Sequence, residues 1–397
     1  QREDDDSTRR EFLQRLGRTA CATGIATALI ADTSFVRAEP SLPPSTGRVG
    51  QRVLGKTGLR VPEIGFGGHS WNYARVPDGS GGLRRVNLDE AQRMISLGLE
   101  MGVNFFDSCT PLEEHSVPGE VIGRLKKRDE VIVSARLCHK MKGVPQDKQI
   151  IEKWVDERLR LWQTDRFDIL MLTNTEDDTP QSGYWDMSYS LETVAKLKKQ
   201  GKIRYAGFGC HFTPQWFREA FAKCGKEWDI VSVPYNARHR GAEELLVDAD
   251  KLGLGIVTIK AFARGELLQQ TASGGGPGLA RDLVTYVLEN PLVDCCIVGV
   301  HSESHVRENF SASWTKLSPA SRQRLESLAA RAACATSVVA RCSPLRCSKS
   351  ALIPASSATN SSSSTDRAAA ASSESLIESG FVVTDVGARR AYDCTER

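Results

Sequence analysis

Residues 88–107 read LDEAQRMISLGLEMGVNFFD, and this stretch decides the fold. In residues 88–101 the apolar side chains recur three or four positions apart with charged residues between them, which is typical of an amphipathic helix. Residues 103–107 form a short apolar run, which is typical of a strand covered on both faces. The same two patterns alternate from about Arg52 to Leu317, so repeated strand–helix units are predicted there.

The strand candidates share a short length and a richness in Val or Ile, and they span residues 63–67, 103–107, 131–137, 167–173, 203–210, 230–235, 255–261 and 293–300. Amphipathic helices are predicted between them, for example over residues 88–101, 148–162, 191–199, 241–251 and 280–288. Eight such units in roughly 260 residues match the size of a closed (β/α)8 TIM barrel. An open doubly wound sheet is the alternative, but such sheets seldom need eight evenly spaced strands. The sequence therefore predicts an α/β protein built on a TIM barrel.

The first residues carry the features of an export signal. Arg9 and Arg10 precede an apolar stretch over residues 20–31 and a small-x-small cleavage pattern at residues 36–38. This order resembles the bacterial twin-arginine signal, and a short amphipathic helix is the alternative. We therefore predict a twin-arginine-type signal segment over residues 1–38, with the twin-arginine export machinery as a partner and the bacterial periplasm or cell envelope as the destination.

Composition sets the other boundaries. Residues 39–50 are rich in Pro, Ser and Gly and are predicted to form a linker, which leaves residues 51–330 for the barrel. Residues 331–397 are rich in Ala, Ser and Arg, and such a stretch is predicted to be a disordered, low-complexity tail because it buries too little apolar surface. Cys334, Cys342 and Cys347 lie in this tail without a Cys-x-x-Cys pair, so no metal site is predicted.

The overall charge and hydropathy exclude several partners. The chain has 397 residues, with 52 Lys and Arg against 49 Asp and Glu, and this net charge of +3 gives no basis for binding nucleic acid. No apolar run reaches the roughly 18 residues that a membrane-spanning helix needs, so no membrane anchor is predicted.

Residues 50–57, GQRVLGKT, imitate a phosphate-binding loop. Such a loop needs a preceding strand and a following helix, whereas here a Pro-rich linker precedes and Pro62 follows soon after. The β-prone residues around Lys56, Thr57 and Gly58 instead predict a hairpin over residues 52–61. No Gly-x-Gly-x-x-Gly occurs either, so neither a nucleotide triphosphatase nor a Rossmann dinucleotide site is predicted.

Polar side chains follow the predicted strands at their carboxyl ends, which share one rim in a barrel of this kind. They are His69, Asp107, Arg136, Thr173, Cys210, His211, Tyr235, Asn236, Lys260, Arg264 and His301. The cationic groups after the seventh and eighth strands suit an anionic ligand. The sequence therefore predicts a polar pocket for a small molecule at this rim.

Ordered motifs over about residues 50–317 resemble the aldo-keto reductase family. The matching segments are LGKTGL (54–59), IGFG (64–67), GVNFFD (102–107), QTD (163–165), FDIL (167–170), GKIR (201–204), YN (235–236), IVG (297–299) and EN (308–309). The resemblance implies an NAD(P)H-dependent oxidoreductase acting on a small carbonyl or related substrate. It implies NADP(H) as the cofactor, with NAD(H) as the alternative, lying across the barrel mouth.

The resemblance also implies a substituted catalytic tetrad. The family uses Asp, Tyr, Lys and His, and Asp107 matches the first of these. Leu112, Arg136 and Thr173 stand at the other three positions. Leucine has no proton to give and arginine keeps its own. Arg136 is still able to stabilise an oxyanion or to pair with Asp107.

Histidines are candidate replacements for the missing acid, because they titrate near neutral pH. His115 lies just beyond the Tyr position and His211 follows the fifth strand, and Glu113 is a further candidate. A structural hydrogen-bonding role is the alternative for each histidine. The catalytic candidates are therefore Asp107, Arg136, His115 and His211.

The family's cofactor positions are partly kept. The Ser-Asn pair that binds the nicotinamide amide is matched by Cys210 and His211, and the Gln of the sixth strand is matched by Ser232. His301 stands where a basic residue selects the 2′-phosphate. The cofactor-binding candidates are Cys210, Ser232, Lys260, Arg264, Gly299, His301, Glu308 and Asn309. Two functions follow: an oxidoreductase with an altered proton relay, or a catalytically degenerate barrel that binds a nicotinamide cofactor or another small ligand without redox turnover.

Overall fold

The computed structural model describes residues 47–139, 148–174, 188–210, 214–238, 240–269 and 278–328. Within them eight parallel strands close a barrel in chain order, and the eighth pairs back onto the first. The strands are β1 (Ile64–Gly67), β2 (Phe105–Ser108), β3 (Ile132–His139), β4 (Phe167–Asn174), β5 (Ile203–Cys210), β6 (Ile230–Pro234), β7 (Gly255–Ile259) and β8 (Cys295–Val298). The predicted TIM barrel is therefore confirmed. The predicted signal segment 1–38, residues 39–46 of the linker and the tail 331–397 lie outside the described residues.

Helices alternate with the strands and surround them. They are α1 (Leu88–Glu100), α2 (Glu113–Leu125), α3 (Lys148–Leu161), α4 (Ser188–Lys199), α5 (Pro214–Cys224), α6 (Glu243–Lys251), α7 (Leu279–Leu288) and α8 (Glu303–Phe310). Shorter helical segments are His69–Asn72 after β1 and Glu266–Gln269 after β7, and residues 319–328 are helical as well. No helix among the described residues is long and apolar enough to cross a membrane.

Helix α1 shows how the local sequence sets an element boundary. The Asn87 side chain accepts a hydrogen bond from the Glu90 backbone N–H, and the Glu90 side chain accepts one from the Asn87 backbone N–H, each at 2.9 Å. This reciprocal cap satisfies two N–H groups that the first turn of a helix leaves without partners. Arg84 adds two bonds of 2.7 Å to the same Glu90 carboxylate, so the loop after β1 is fastened to the helix start.

The amino-terminal end of the barrel is covered by the predicted hairpin. Strand Gln51–Val53 pairs antiparallel with Arg60–Pro62, around a 3₁₀ turn at Gly55–Thr57. Gly55 has φ +47°, and a Cβ there would lie 2.2 Å from the backbone nitrogen of Gly255. Only glycine fits this approach, so the turn rests directly on the start of β7. Residues 50–57 therefore form a structural cap and have no helix after them.

The barrel interior and the helix layer form separate apolar cores. The interior core is made by residues that face inward from the strands together with the hairpin: Leu54, Val61, Phe105, Ile132, Ile169, Met171, Ile230, Val257, Cys295 and Ile297. The larger outer core fills the space between strands and helices. Strand residues alternate between these two cores because successive side chains point to opposite faces of a strand.

Candidate active site

Three polar side chains meet at the carboxyl ends of β2, β3 and β4. The Arg136 guanidinium donates from Nε and Nη2 to the two carboxylate oxygens of Asp107, each at 3.0 Å. Its Nη1 donates to Thr173 Oγ1 at 2.9 Å, and Ser134 Oγ donates to Asp107 Oδ1 at 2.8 Å. All four residues are buried. The predicted residues Asp107 and Arg136 therefore form a fixed, bidentate ion pair at the base of the mouth.

The inward-facing surface continues from Thr173 to β5 and β6. A Cβ built on Gly209 would lie 3.1 Å from the Ser232 Cβ and 3.5 Å from Thr173 Oγ1, so these three positions adjoin. The Ser232 hydroxyl is buried and hydrogen-bonds to none of the described residues. A buried polar atom of this kind requires an explanation, and a bound ligand is one.

Cys210 lies on the other face of β5. Its side chain is buried in the outer core with Phe208 and Trp216, towards the helices. The inward-facing residue at this end of β5 is Gly209, which the sequence comparison with the family motif did not single out. Residue 211 lies outside the described residues, so the position of His211 stays a prediction.

The segment after β7 has a strained backbone. Lys260, Ala263 and Arg264 have φ values of +63°, +49° and +62°, which side-chain-bearing residues rarely adopt. The Asn236 side chain and the Ala263 N–H both bond the Lys260 carbonyl, at 2.8 and 2.9 Å, and hold the turn. Each such conformation costs on the order of 1–3 kcal/mol, and they cluster at ligand-binding segments. Successive N–H groups in turns of this kind form anion-binding concavities.

The remaining cofactor candidates lie after β8 and on α8. Asn309 is buried and donates to the Gly299 carbonyl at 3.3 Å, so it shapes the loop. Burial, together with the charges of His305 and Arg75, lowers the pKa of His301 to about 4. The His301 imidazole is therefore neutral at pH 7. Glu308 is partly exposed on the same helix.

His115 lies within the helix layer rather than at the mouth. It is fully buried on α2, where Trp162 Nε1 donates to its Nδ1 at 3.2 Å and its Nε2 lies 2.6 Å from the Cys109 carbonyl. Burial, with the charge of Arg158, lowers the pKa of His115 to about 3. Both ring nitrogens are used, and the side chain has no exposed surface. This placement favours the structural role over proton transfer.

An acid–imidazole pair also lies at the mouth, and the sequence indicates only the imidazole. His69 Nδ1 lies 2.8 Å from Glu114 Oε1, and the Cys109 backbone N–H donates to Glu114 Oε2 at 2.7 Å. The Glu114 side chain is fully buried, whereas that of His69 is 54% exposed. Gly68 makes room for this carboxylate, since a Cβ there would lie 2.1 Å from Glu114 Oε2. The glycine before His69 was the available sequence signal.

The position of the missing tyrosine is exposed. Leu112 directly precedes α2 and is 47% exposed. Glu113, the neighbouring candidate, pairs with Arg85 at 2.8 Å. Leu112 and Glu113 are therefore not assigned as proton donors.

The chain is similar in sequence to known enzymes. The chain is 25% identical over 291 residues to L-galactose dehydrogenase of Arabidopsis thaliana, covering 66% of this chain and 87% of that protein. It is 24% identical over 253 residues to L-glyceraldehyde 3-phosphate reductase of Escherichia coli, covering 58% of this chain and 67% of that protein.

Solved structures share the fold at lower identity. An aldo-keto reductase from Bacillus halodurans, in its holo form, matches with a TM-score of 0.55 and 22% identity, covering 71% of this chain and 96% of that one. An aldo-keto reductase from Klebsiella pneumoniae, in complex with NADPH, matches with a TM-score of 0.54 and 21% identity, covering 71% and 95%. The aldo/keto reductase family model matches residues 63–281, which is more than half of the 397 residues. On this match the chain belongs to the aldo/keto reductase family.

Proposed function

We propose that this chain is a nicotinamide-dependent oxidoreductase that acts on a small carbonyl compound or the corresponding alcohol. The observation that carries the proposal is the buried Asp107–Arg136–Thr173 array, which occupies the strand ends of a family barrel. A preorganised guanidinium stabilises the charge that develops on a carbonyl oxygen, because its orientation is fixed before the reaction begins. Arg136 and Thr173 are therefore assigned to orienting the substrate oxygen.

The residues at the mouth fit a nicotinamide dinucleotide. The buried Ser232 hydroxyl without a described partner suits the carboxamide, and Gly209 beside it leaves room for a ring. The strained segment around Lys260 and Arg264 suits the pyrophosphate, with Gly299, His301, Glu308 and Asn309 towards the adenine end. When bound, the nicotinamide supplies or accepts a hydride. The relative from Klebsiella pneumoniae was solved with NADPH, which supports NADP(H) here, with NAD(H) as the alternative.

Small hydroxyaldehydes are the proposed substrate class. The two relatives named above act, by their names, on L-galactose and on L-glyceraldehyde 3-phosphate, which are aldehydes that carry a hydroxyl group next to the carbonyl. The polar side chains Asp107, Arg136 and Thr173 at the base of the mouth suit a substrate that carries hydroxyl groups.

A barrel that binds ligand without turnover is the second candidate. The specific observation in its favour is the exposed Leu112 at the position where the family has its acid. In that case the Asp107–Arg136 pair serves only the fold.

The test uses the purified full-length chain with NADPH and NADH, and with aldoses and glyceraldehyde as substrates. We expect quenching of cofactor fluorescence on binding and oxidation of the cofactor on addition of an aldehyde. Asp107→Asn and Arg136→Met should lower turnover by about 10² or more, in variants shown by circular dichroism to be folded. Asp248→Asn, at an exposed pair on α6, is the matched control.

Three outcomes separate the candidates. If neither cofactor binds at millimolar concentration, the proposed function is wrong. If a cofactor binds but no substrate is turned over, the non-catalytic barrel is correct. Turnover that survives both substitutions would remove the assigned role of the ion pair.

We also propose that residues 1–38 direct export by the twin-arginine route to the bacterial periplasm or cell envelope, on the support of Arg9 and Arg10 and the apolar stretch after them. Residues 1–50 fused to a reporter that folds before export should bring it into the periplasm. Arg9→Lys combined with Arg10→Lys should abolish that transport, and unchanged transport would contradict the proposal.

A further inference from the structure

Reduction of a carbonyl requires a proton as well as a hydride, and the base of the mouth does not supply one. The Arg136 guanidinium keeps its proton and is bound to Asp107 through two of its nitrogens. His115 is buried with both ring nitrogens used. Leu112 has no acidic hydrogen. Among the described residues, a proton donor for the reaction proposed above must therefore lie elsewhere on the rim.

His69 is placed beside the strand that carries Asp107. Gly67 of β1 pairs in register with Asp107 of β2, and His69 follows two residues later. A Cβ on the intervening Gly68 would lie 3.1 Å from the Asp107 carbonyl oxygen. The imidazole therefore extends from the same part of the rim as the carboxylate.

The buried Glu114 carboxylate fixes the imidazole. It takes one bond from the Cys109 backbone N–H and faces His69 Nδ1 at 2.8 Å, so Nδ1 carries a hydrogen that points at Glu114. Nε2 is then the ring nitrogen that remains for substrate, and no described residue hydrogen-bonds to it. With 54% of the side chain exposed, His69 is accessible from the mouth while its partner is not. A carboxylate that orients an imidazole in this way is a recurring arrangement for proton transfer.

The surrounding charges favour a protonated ring. Desolvation lowers the pKa of His69, but the charge and hydrogen bond of Glu114 outweigh it and, together with Cys109 and Asp107, raise the pKa to about 8. The imidazole is therefore largely protonated at pH 7. The groups that face it are Glu114 on α2, Cys109 directly after β2, Asp107 on β2, Tyr73 on its own loop and His301 after β8. The Arg75 guanidinium lies over the Tyr73 ring.

We propose that His69, oriented by Glu114, is the proton donor of this site; the proposal rests on the proposed oxidoreductase function. In the reduction, a hydride from the bound nicotinamide forms the new C–H bond and the carbonyl π-bond breaks towards oxygen. The Nε2–H bond of His69 breaks and its proton forms the O–H bond of the alcohol. The cofactor is oxidised, the carbonyl is reduced, and the neutral imidazole regains a proton from water. In alcohol oxidation His69 takes the proton instead.

The first test needs no cofactor. Proton NMR titration of the histidine ring signals, with His69 assigned by its loss in His69→Gln, should give a pKa of about 8. In Glu114→Gln we expect it to fall towards the ordinary value of about 6.5. Gly68→Ala should have the same effect without altering either side chain of the pair, because the added methyl group displaces the carboxylate. Glu120→Gln, an exposed glutamate of the same helix, and Gly123→Ala, with nothing within 4 Å of its added carbon, are the controls.

The second test is single-turnover hydride transfer from NADPH to the best aldehyde found. His69→Gln should slow it by about 10²–10⁴ and leave NADPH affinity within about twofold. The rate of the unsubstituted protein should fall above pH 8 or so, as the donor loses its proton. In Glu114→Gln this decline should begin at lower pH.

The outcomes are distinguishable. An unsubstituted protein that binds no nicotinamide overturns the proposed function and this proposal with it. Turnover that is unchanged in His69→Gln overturns the proton donor alone. A His69 pKa that stays the same in Glu114→Gln and in Gly68→Ala overturns the orienting role of Glu114.

Discussion

At the scale of single residues, the site gives two tasks to different side chains: orienting the substrate oxygen and donating a proton. Burying two opposite charges costs several kcal/mol per ion, and only good geometry with additional hydrogen bonds offsets that cost. Asp107 and Arg136 meet this condition with two bonds to each other and further bonds to Ser134 and Thr173. A pair so tightly held orients an oxygen well and gives up no proton. The proton chemistry then falls to a half-exposed group, His69, whose proton exchanges with water.

His115 predicts a pH dependence of stability. Its folded pKa of about 3 lies below the ordinary value of about 6.5, so the unfolded chain binds a proton that the folded chain excludes. The contribution is complete above pH 6.5 or so and declines by about 1.4 kcal/mol per pH unit as the pH falls towards the folded value. Urea unfolding between neutral pH and mild acid should show this slope.

The variants to compare are His115→Gln and Lys153→Gln. The first should lower the free energy of unfolding at neutral pH, because buried hydrogen bonds and packing are lost, and should also reduce the slope. The second replaces an exposed side chain of α3 that carries no imidazole and should keep the slope. An unchanged slope in His115→Gln would show that other groups cause the acid sensitivity.

Part of this site follows from the sequence. The strand-end positions of His69, Asp107 and Arg136 follow from the parallel barrel, because all strands end at one rim. Glu114 does not follow from the sequence, because it lies 45 residues from His69 and its burial arises only when α2 packs against the His69–Asn72 segment. Cys210 was placed one residue away from the inward-facing Gly209, since periodicity alone does not fix which face of β5 is inward.

At the scale of elements, the strands and helices follow the apolar patterns of the sequence. Their observed bounds differ from the predicted bounds mainly at the ends. Strand β8 was predicted over residues 293–300 and spans Cys295–Val298. Directly before it, the Asp294 carboxylate accepts the backbone N–H of Ile256 at 2.7 Å. This contact joins residues far apart in the sequence, so no local pattern contains it.

The loop after β1 has no periodic pattern of apolar residues, yet hydrogen bonds and ion pairs hold it in place. The Asp78 carboxylate accepts the backbone N–H groups of Ser80 and Gly82, at 2.8 and 2.9 Å. The end of the loop is tied to α2 through the Arg85–Glu113 pair. A side chain is held precisely only when the element that carries it is rigid. Next to His69, Ser70 Oγ donates to the Gly67 carbonyl at 2.7 Å and accepts the Val300 N–H at 2.9 Å, which ties this segment to β1 and to the end of β8.

At the scale of the whole molecule, the two ends of the barrel have different roles. The carboxyl end gathers the polar side chains, and the amino end is closed by the hairpin. Arg52 of the hairpin bonds the Glu63 carboxylate at 2.8 Å and the Leu288 carbonyl at 3.0 Å, which joins the cap to the start of β1 and to the end of α7. We therefore expect that a substitution at the amino end changes the stability of the fold without changing the chemistry at the carboxyl end.

A substitution of Leu54 tests whether the two ends of the barrel act independently. Its side chain is fully buried in the interior core, and a Cβ on Gly255 would lie 2.6 Å from it. Leu54→Ala should lower the free energy of unfolding by about 2–5 kcal/mol, because it leaves a cavity at the closed end. Leu83→Ala, which removes the same atoms from a side chain that is 58% exposed, should change it by about 0.5 kcal/mol or less.

The decisive measurement compares urea unfolding with NADPH affinity and with the NMR pKa of His69 in the same Leu54→Ala protein. The mouth residues pack on the opposite end of the interior core, so we expect both mouth properties to stay at their original values while the unfolding midpoint drops. A change in the His69 pKa or in NADPH affinity that accompanies the loss of stability would mean that the hairpin and the mouth act as one unit. In that event the cap at the amino end would help to position the catalytic groups, and the division of roles between the two ends would be wrong.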